Sequence, residues 1–123
     1  MAGGVVLVVE DNEKNMKLVR DVLQASGFTT LEATTAEEGI ELALAERPGL
    51  VLMDVQLPGV NGVEALARLR ADERTSSIPV LALTAQAMRG DRERFVEAGF
   101  DGYLAKPVDV LELIEAVREH LAG

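Results

Sequence analysis

The sequence predicts an α/β fold: a doubly wound three-layer sandwich in which a five-stranded parallel sheet is covered by helices on both faces. Three observations predict it. Short apolar runs alternate with segments of helical period along the whole chain. The runs are apolar at consecutive positions, as strands buried on both faces are. A helix-length segment separates each run from the next, as the crossover connections of parallel neighbours require.

Val5 to Val9 is the first such run, built from β-branched residues and leucine. After Asn12 the period changes: Met16, Val19 and Leu23 share one helical face, and Ser26-Gly27 closes that helix with the small residue a left-handed cap prefers. Thr29 to Ala33 reads as a short, more polar strand. Ala36, Ile40, Ala43 and Leu44 line a second helix, stopped by Pro48-Gly49. Leu50 to Met53 is a buried strand ending in Asp54, and the turn Leu57-Pro58-Gly59 leads into a helix that uses Val63, Leu66 and Ala67. Pro79 to Leu83 is the fourth run and ends in Thr84. Asp91 to Ala98 reads as a helix capped by Asp91 and closed by Gly99, with Gly90 weakening its entry. Gly102 to Ala105 is the last strand and ends in Lys106-Pro107. Val110, Ile114, Val117 and Leu121 mark a final amphipathic helix from about Asp109 to His120.

At 123 residues the chain has the size of one ordinary domain, and residues 1–123 are expected to form a single unit without an output domain. Hydrophobic residues make up 48% and charged residues 27%, the balance of a globular protein. Twelve basic against twenty-one acidic residues leave a net charge of −9, which repels nucleic-acid phosphates and anionic lipid. Neither nucleic acid nor membrane is an expected partner. There is no cysteine, so disulfides and thiolate metal ligands are excluded. The opening Met1-Ala2-Gly3-Gly4 lacks the basic stretch of a secretory signal, and no apolar run approaches the roughly 18 residues of a membrane span. A cytoplasmic location is expected.

In open parallel sheets, ligands bind in the crevice beyond the carboxyl ends of the strands, and the polar residues of this chain fall there. Glu10 and Asp11 follow the first strand, Asp54 the third, Thr84 the fourth and Lys106 the fifth. Three carboxylates sharing one crevice repel one another, so a cation is needed to hold them together. Oxygen ligands without His or Cys suit Mg²⁺, which takes one or two carboxylates and binds phosphate oxygens as well. Lys106 adds a second positive charge and Thr84 a hydroxyl donor, so each peripheral oxygen of a phosphoryl group has a partner. A carboxylate nucleophile beside a metal and a lysine can form an aspartyl phosphate.

Taken singly, these residues have ordinary explanations. Asp11 or Asn12 can cap the first helix, Thr84 can bond its own backbone, and Lys106 can be a surface charge. Their recurrence at four strand ends, in an order that places them in one crevice, favours a shared site. His120, in the last turn of the last helix, reads as structural. Glu37, Glu38 and Glu41 read as a solvated face, and Met16 and Met88 as packing or partner-surface residues. Tyr103 alone would be an edge residue with a wet hydroxyl.

Together with LMDVQLPGVNG around Asp54, LTA at Thr84 and Lys106-Pro107, this constellation resembles the receiver domain of two-component response regulators, the CheY-like superfamily, over essentially all 123 residues. VEDNEKNMKLV, LTAQAMRGDRERF and AGFDGYLAKPV are most similar to stand-alone cell-division regulators of the DivK type and to receivers of hybrid histidine kinases. The resemblance implies a flavodoxin-like sheet of order 2-1-3-4-5. It implies that Glu10, Asp11, Asp54 and the carbonyl of Gln56 hold Mg²⁺, with Glu10, where many relatives carry aspartate, ranked below Asp11 as a direct ligand because its longer arm would reach the metal through water. Asp54 becomes the phosphorylated residue, with Thr84 and Tyr103 as switch residues and a cis bond at Lys106-Pro107. Gln56 and Gln86 occupy places that tune the lifetime of the acyl phosphate.

The implied protein is a phosphoacceptor rather than an enzyme acting on other substrates, and it catalyses only its own phosphorylation and dephosphorylation. Its implied partners are a histidine kinase or histidine phosphotransfer protein, and a downstream protein bound through the fourth helix, fifth strand and fifth helix. It would be a monomer or a weak, phosphorylation-dependent dimer. Three rival readings share parts of this pattern. A haloacid-dehalogenase phosphatase wants a second aspartate where Gln56 stands, and a flavodoxin wants Ser, Thr or Gly where Glu10-Asp11 stand. A receiver excised from a hybrid kinase shares every residue of the site.

Overall fold

The computed structural model describes residues 4–57, 62–85 and 91–121, with only the backbone at 91–93. Pro58-Gly59, Gln86, Met88 and Gly90 lie outside the described residues. Five strands alternate with five helices among those described: β1 (Val5–Val9), α1 (Glu13–Ala25), β2 (Thr29–Ala33), α2 (Ala36–Glu46), β3 (Leu50–Asp54), α3 (Gly62–Ala71), β4 (Val80–Thr84), α4 (Asp91–Ala98), β5 (Gly102–Ala105) and α5 (Val110–His120). The strands lie in the order β2-β1-β3-β4-β5, every pair parallel. In register, Val9 lies opposite Ala33 and Met53, Asp54 opposite Leu83, and Thr84 opposite Ala105. The carboxyl ends therefore share one edge of the sheet.

Successive residues of each strand point to opposite faces, so the unbroken apolar runs feed two cores. Leu7, Val9, Val51, Met53, Val80 and Ala82 pack on one side with Ala36 and Ala43 of α2, Leu66 and Leu69 of α3, and Phe95 of α4. Val6, Val8, Leu50, Leu52, Leu81 and Leu83 pack on the other with Met16, Val19 and Leu23 of α1, and Leu113 and Val117 of α5. Each fully buried Leu or Val stabilises the fold by roughly 1.5–3 kcal/mol before its ordering cost. No helix among the described residues is long and apolar enough to cross a membrane.

The ends of α1 follow the predicted chemistry, whereas the Asp91 cap expected for α4 lies outside the described side chains. The Asn12 side chain accepts from the backbone N–H of Lys14 and Asn15, satisfying two donors that α1 leaves open. Gly27 and Gly99 adopt positive φ at the ends of α1 and α4, and Lys106-Pro107 is cis. Arg47 is the left-handed residue after α2, directly before Pro48.

Three helix faces differ from expectation. In α2 the buried set is Ala36, Gly39 and Ala43, with Ile40 and Leu44 half-buried, because Gly39 lies directly against the Val9 side chain. In α3 the buried set is Gly62, Ala65, Leu66 and Leu69, whereas Val63 is 46% exposed and Ala67 faces solvent. Gly62 is the cause: a Cβ there would lie 2.6 Å from the Asp54 carbonyl oxygen, so only glycine lets α3 start pressed against the end of β3. That contact rolls Val63 outward. In α5 Leu113 and Val117 are buried while Val110 is 44% exposed. Asp109 caps the helix by accepting from Glu112 N–H at 3.0 Å, and Val108 before the cap joins Leu113 in one cluster. This hydrophobic staple sets the roll of α5 and turns Val110 away from the core.

An unforeseen tie closes the other edge of the sheet. The Arg70 guanidinium of α3 donates to the carbonyls of Ser76 (3.1 Å), Ile78 (2.6 Å) and Gly99 (3.3 Å) and to Asp101 (2.9 Å). The same Asp101 oxygen accepts from Val80 N–H at 2.8 Å, which links α3 to the starts of β4 and β5.

Candidate metal centre

Each candidate side chain sits where a strand delivers it. Glu10 follows β1, still in the ladder through its N–H to Ala33 carbonyl at 3.0 Å, and its side chain is turned inward. Asp11, one residue on, is exposed at the crevice rim. Asp54 and Thr84 are the last residues of β3 and β4, and both are buried. Lys106 leaves β5 with its N–H bonded to Thr84 carbonyl at 2.8 Å.

The side chains then converge. Lys106 Nζ lies 2.8 Å from Asp54 Oδ2 and 2.7 Å from Glu10 Oε1. Asp54 Oδ1 accepts from Gln56 N–H at 2.8 Å, and Glu10 Oε2 accepts from Asn12 N–H at 3.3 Å. One carboxylate oxygen each from Glu10, Asp11 and Asp54 lies within 4.8 Å of the others. Two oxygens on one Mg²⁺ are at most about 4 Å apart, so a small contraction brings the three to a common ion. Glu10 Oε1 is fully buried, with the Lys106 ammonium 2.7 Å away. Three carboxylates against one ammonium leave two negative charges, the complement of a divalent cation. The donor set is oxygen only and suits a hard ion.

Electrostatics separate the two buried acids. Burial, together with the hydrogen bond to Asp54, pushes the Glu10 carboxyl up to about 7 against the pull of Lys106. Burial raises Asp54 also, but hydrogen bonds with Glu10, Lys106 and the Gln56 N–H outweigh it and hold the carboxyl below its ordinary value. Burial lowers Lys106, yet Asp54 and Glu10 together raise it above the usual lysine value. Asp54 therefore stays ionised, and Glu10 is the first of the two to take a proton as pH falls.

Tyr103 stands apart from this cluster. Tyr103 is 36% exposed on the edge strand β5, with its ring centroid 6.0 Å from that of Phe95 in α4. Gln56 is exposed, with its N–H turned back to Asp54. His120 Nδ1 bonds Ala116 carbonyl at 2.9 Å within α5, as a structural role requires. Sequence reasoning missed a cavity of about 350 Å³ beside the cluster, where Met16, Lys17 and Arg20 of α1 meet Glu32 of β2. Its only sequence signal was the polar character of β2.

The response regulator receiver domain family matches residues 6–118 of this chain. The chain is 46% identical over 116 residues to the polar-differentiation response regulator DivK of Brucella anthropi, covering 94% of each. Among solved structures it resembles a response regulator from Chloroflexus aurantiacus J-10-fl, with TM-score 0.90 and 31% identity over 95% of this chain and 96% of that one. It also resembles the receiver domain of sensor histidine kinase PA1611 from Pseudomonas aeruginosa PAO1, with TM-score 0.88 and 34% identity over 97% and 98%. That structure has a magnesium ion coordinated in its active site cleft.

Proposed function

The chain belongs to the response regulator receiver domain family of two-component signalling, and from this membership we propose that Asp54 accepts a phosphoryl group from a phosphohistidine on a histidine kinase or histidine phosphotransfer protein. The observation that carries the reading is the convergence of Glu10, Asp11 and Asp54 on one crevice with Lys106 within 2.8 Å of Asp54.

Asp54 is the nucleophile because it is buried yet held ionised, and its two oxygens are fixed by the Gln56 N–H and the Lys106 ammonium. One carboxylate oxygen attacks phosphorus, the P–O bond forms, the P–N bond breaks, and the donor imidazole leaves with the electron pair. Lys106 then follows the charge from the carboxylate to a phosphoryl oxygen. The Thr84 hydroxyl, at the end of the neighbouring strand, donates to another. Mg²⁺ held by Asp11, Asp54, Glu10 and the Gln56 carbonyl would neutralise phosphoryl charge when bound.

The signal leaves through α4, β5 and α5. Thr84 is drawn toward the phosphoryl group, Tyr103 turns inward against Phe95, and the apolar surface there changes. Val96 (58% exposed) and Leu111 (71%) stand ready on that face for a protein partner. The chain acts in the cytoplasm as a monomer or weak phosphorylation-dependent dimer, and turns over no substrate beyond its own aspartyl phosphate. The same chemistry serves a receiver within a hybrid kinase, a reading the likeness to the PA1611 receiver favours.

The test is phosphotransfer. Radiolabel on a purified, autophosphorylated histidine kinase should move to the wild-type chain and not to Asp54→Ala. Equal transfer to both would refute the assignment.

A further inference from the structure

On the reading of the site proposed above, we infer that Glu10 is a positioning residue whose carboxylate holds the Lys106 ammonium inside the acidic cluster and thereby lowers the affinity of the chain for Mg²⁺. The observation is a shared ammonium. Lys106 Nζ lies between Asp54 Oδ2 at 2.8 Å and Glu10 Oε1 at 2.7 Å, and both carboxylates also belong to the three-oxygen cluster. A cation entering that cluster meets acids already engaged by a positive charge, and the two cations repel.

The length of the Glu10 arm makes this possible. Its backbone is fixed to Ala33 at 3.0 Å, and Lys106 is fixed through its N–H to Thr84 at 2.8 Å. Neither main chain moves easily, so the ion pair depends on side-chain reach. Aspartate at position 10 would draw the carboxylate back by about one C–C bond, roughly 1.5 Å, and stretch the pair to the edge of ion-pair contact. Glu10 is only 1% exposed, so water does not replace the lost contact on that side, and the Lys106 side chain, 14% exposed, is then tethered by Asp54 alone. The cluster keeps its charge but loses its clasp on the ammonium.

Calorimetric titration of the full chain with MgCl₂ tests this on wild type, Glu10→Asp, Lys106→Met and the double variant. Glu10→Asp should bind Mg²⁺ about threefold to tenfold more tightly than wild type, the range of a modest ion-pair coupling. In the Lys106→Met background the same replacement should change affinity less than about twofold. A gain that persists undiminished without Lys106 would make Glu10 merely a poorer ligand and overturn the inference, as would unchanged or weaker binding in Glu10→Asp. Absence of Mg²⁺ binding by the wild type would instead overturn the reading of the site on which the inference rests.

A second measurement needs no replacement of Glu10. The chain has three lysines, Lys14, Lys17 and Lys106, so ¹³C-lysine labelling resolves the Lys106 side chain by NMR. Its resonance should shift on Mg²⁺ saturation, as the ammonium leaves the Glu10 carboxylate. An unmoved resonance at saturating Mg²⁺ would show that the clasp does not oppose the ion.

Discussion

Replacing Lys106 by methionine removes a counter-ion shared by two buried acids, Glu10 and Asp54. Their nearest oxygens each lie within 2.8 Å of Nζ, so those oxygens are no more than about 5.5 Å apart. Two unit charges at that separation repel by about 3 kcal/mol at an effective dielectric constant of about 20. Breaking a buried pair by deleting one partner typically costs 3–5 kcal/mol, which agrees. The cost depends on pH in a defined direction. Glu10 already stands at about 7 with the ammonium in place, and without it the carboxyl rises further and protonates near neutrality. Urea unfolding followed by circular dichroism in EDTA should show Lys106→Met less stable than wild type by about 3–5 kcal/mol at pH 8, and by about half of that or less at pH 6. A loss under about 1 kcal/mol at pH 8, or equal losses at both pH values, would refute the shared-ammonium geometry.

The remaining expectations follow from the same contacts. In the metal-free wild type, the folded chain keeps a proton on Glu10 that the unfolded chain releases near 4.5; this contribution is complete below 4.5 and is lost as pH rises through about 7. Thermal melts should show it, and Glu10→Gln should flatten the slope across that window. Leu113→Ala should cost about 2–5 kcal/mol and Val110→Ala under about 0.5 kcal/mol, since the first is fully buried and the second exposed; similar costs in urea unfolding would contradict the stapled roll of α5. Arg70→Met should destabilise by about 2 kcal/mol and speed amide exchange at Val80 and Asp101, without altering Mg²⁺ affinity. Unchanged exchange there would show that the tie is not holding β4 to β5.

Much of the fold was legible because a two-faced parallel sheet writes itself as unbroken apolar runs, and Val5–Val9, Leu50–Asp54 and Val80–Thr84 are such runs. The grouping of these side chains was legible for a related reason: residues at or just past the carboxyl ends of β1, β3, β4 and β5 share one edge of the sheet, so Asp54, Thr84 and Lys106 could be placed by position alone. Helix roll was less legible. Val63 and Val110 have the right spacing for a core face, but Gly62 against Asp54 and the Val108 staple rotate them outward, and both contacts depend on residues outside the helical period. Inward direction of Glu10 was also hidden. The sequence ranks Glu10 below Asp11 as a metal ligand, yet the β1 ladder continues through Glu10 and buries its side chain, leaving Asp11 at the rim. Arg70 and Asp101 are 31 residues apart, and no local pattern joins them.

Asp54 as the sole nucleophile of a cation-dependent site is tested most directly by incubating the chain with acetyl phosphate and trapping the product with borohydride, followed by peptide mass mapping. With Mg²⁺, one phosphoryl mass should appear on the intact chain and the reduced residue should map to Asp54; with EDTA, neither should. Modification that maps to another residue, or that proceeds equally in EDTA, would contradict the account.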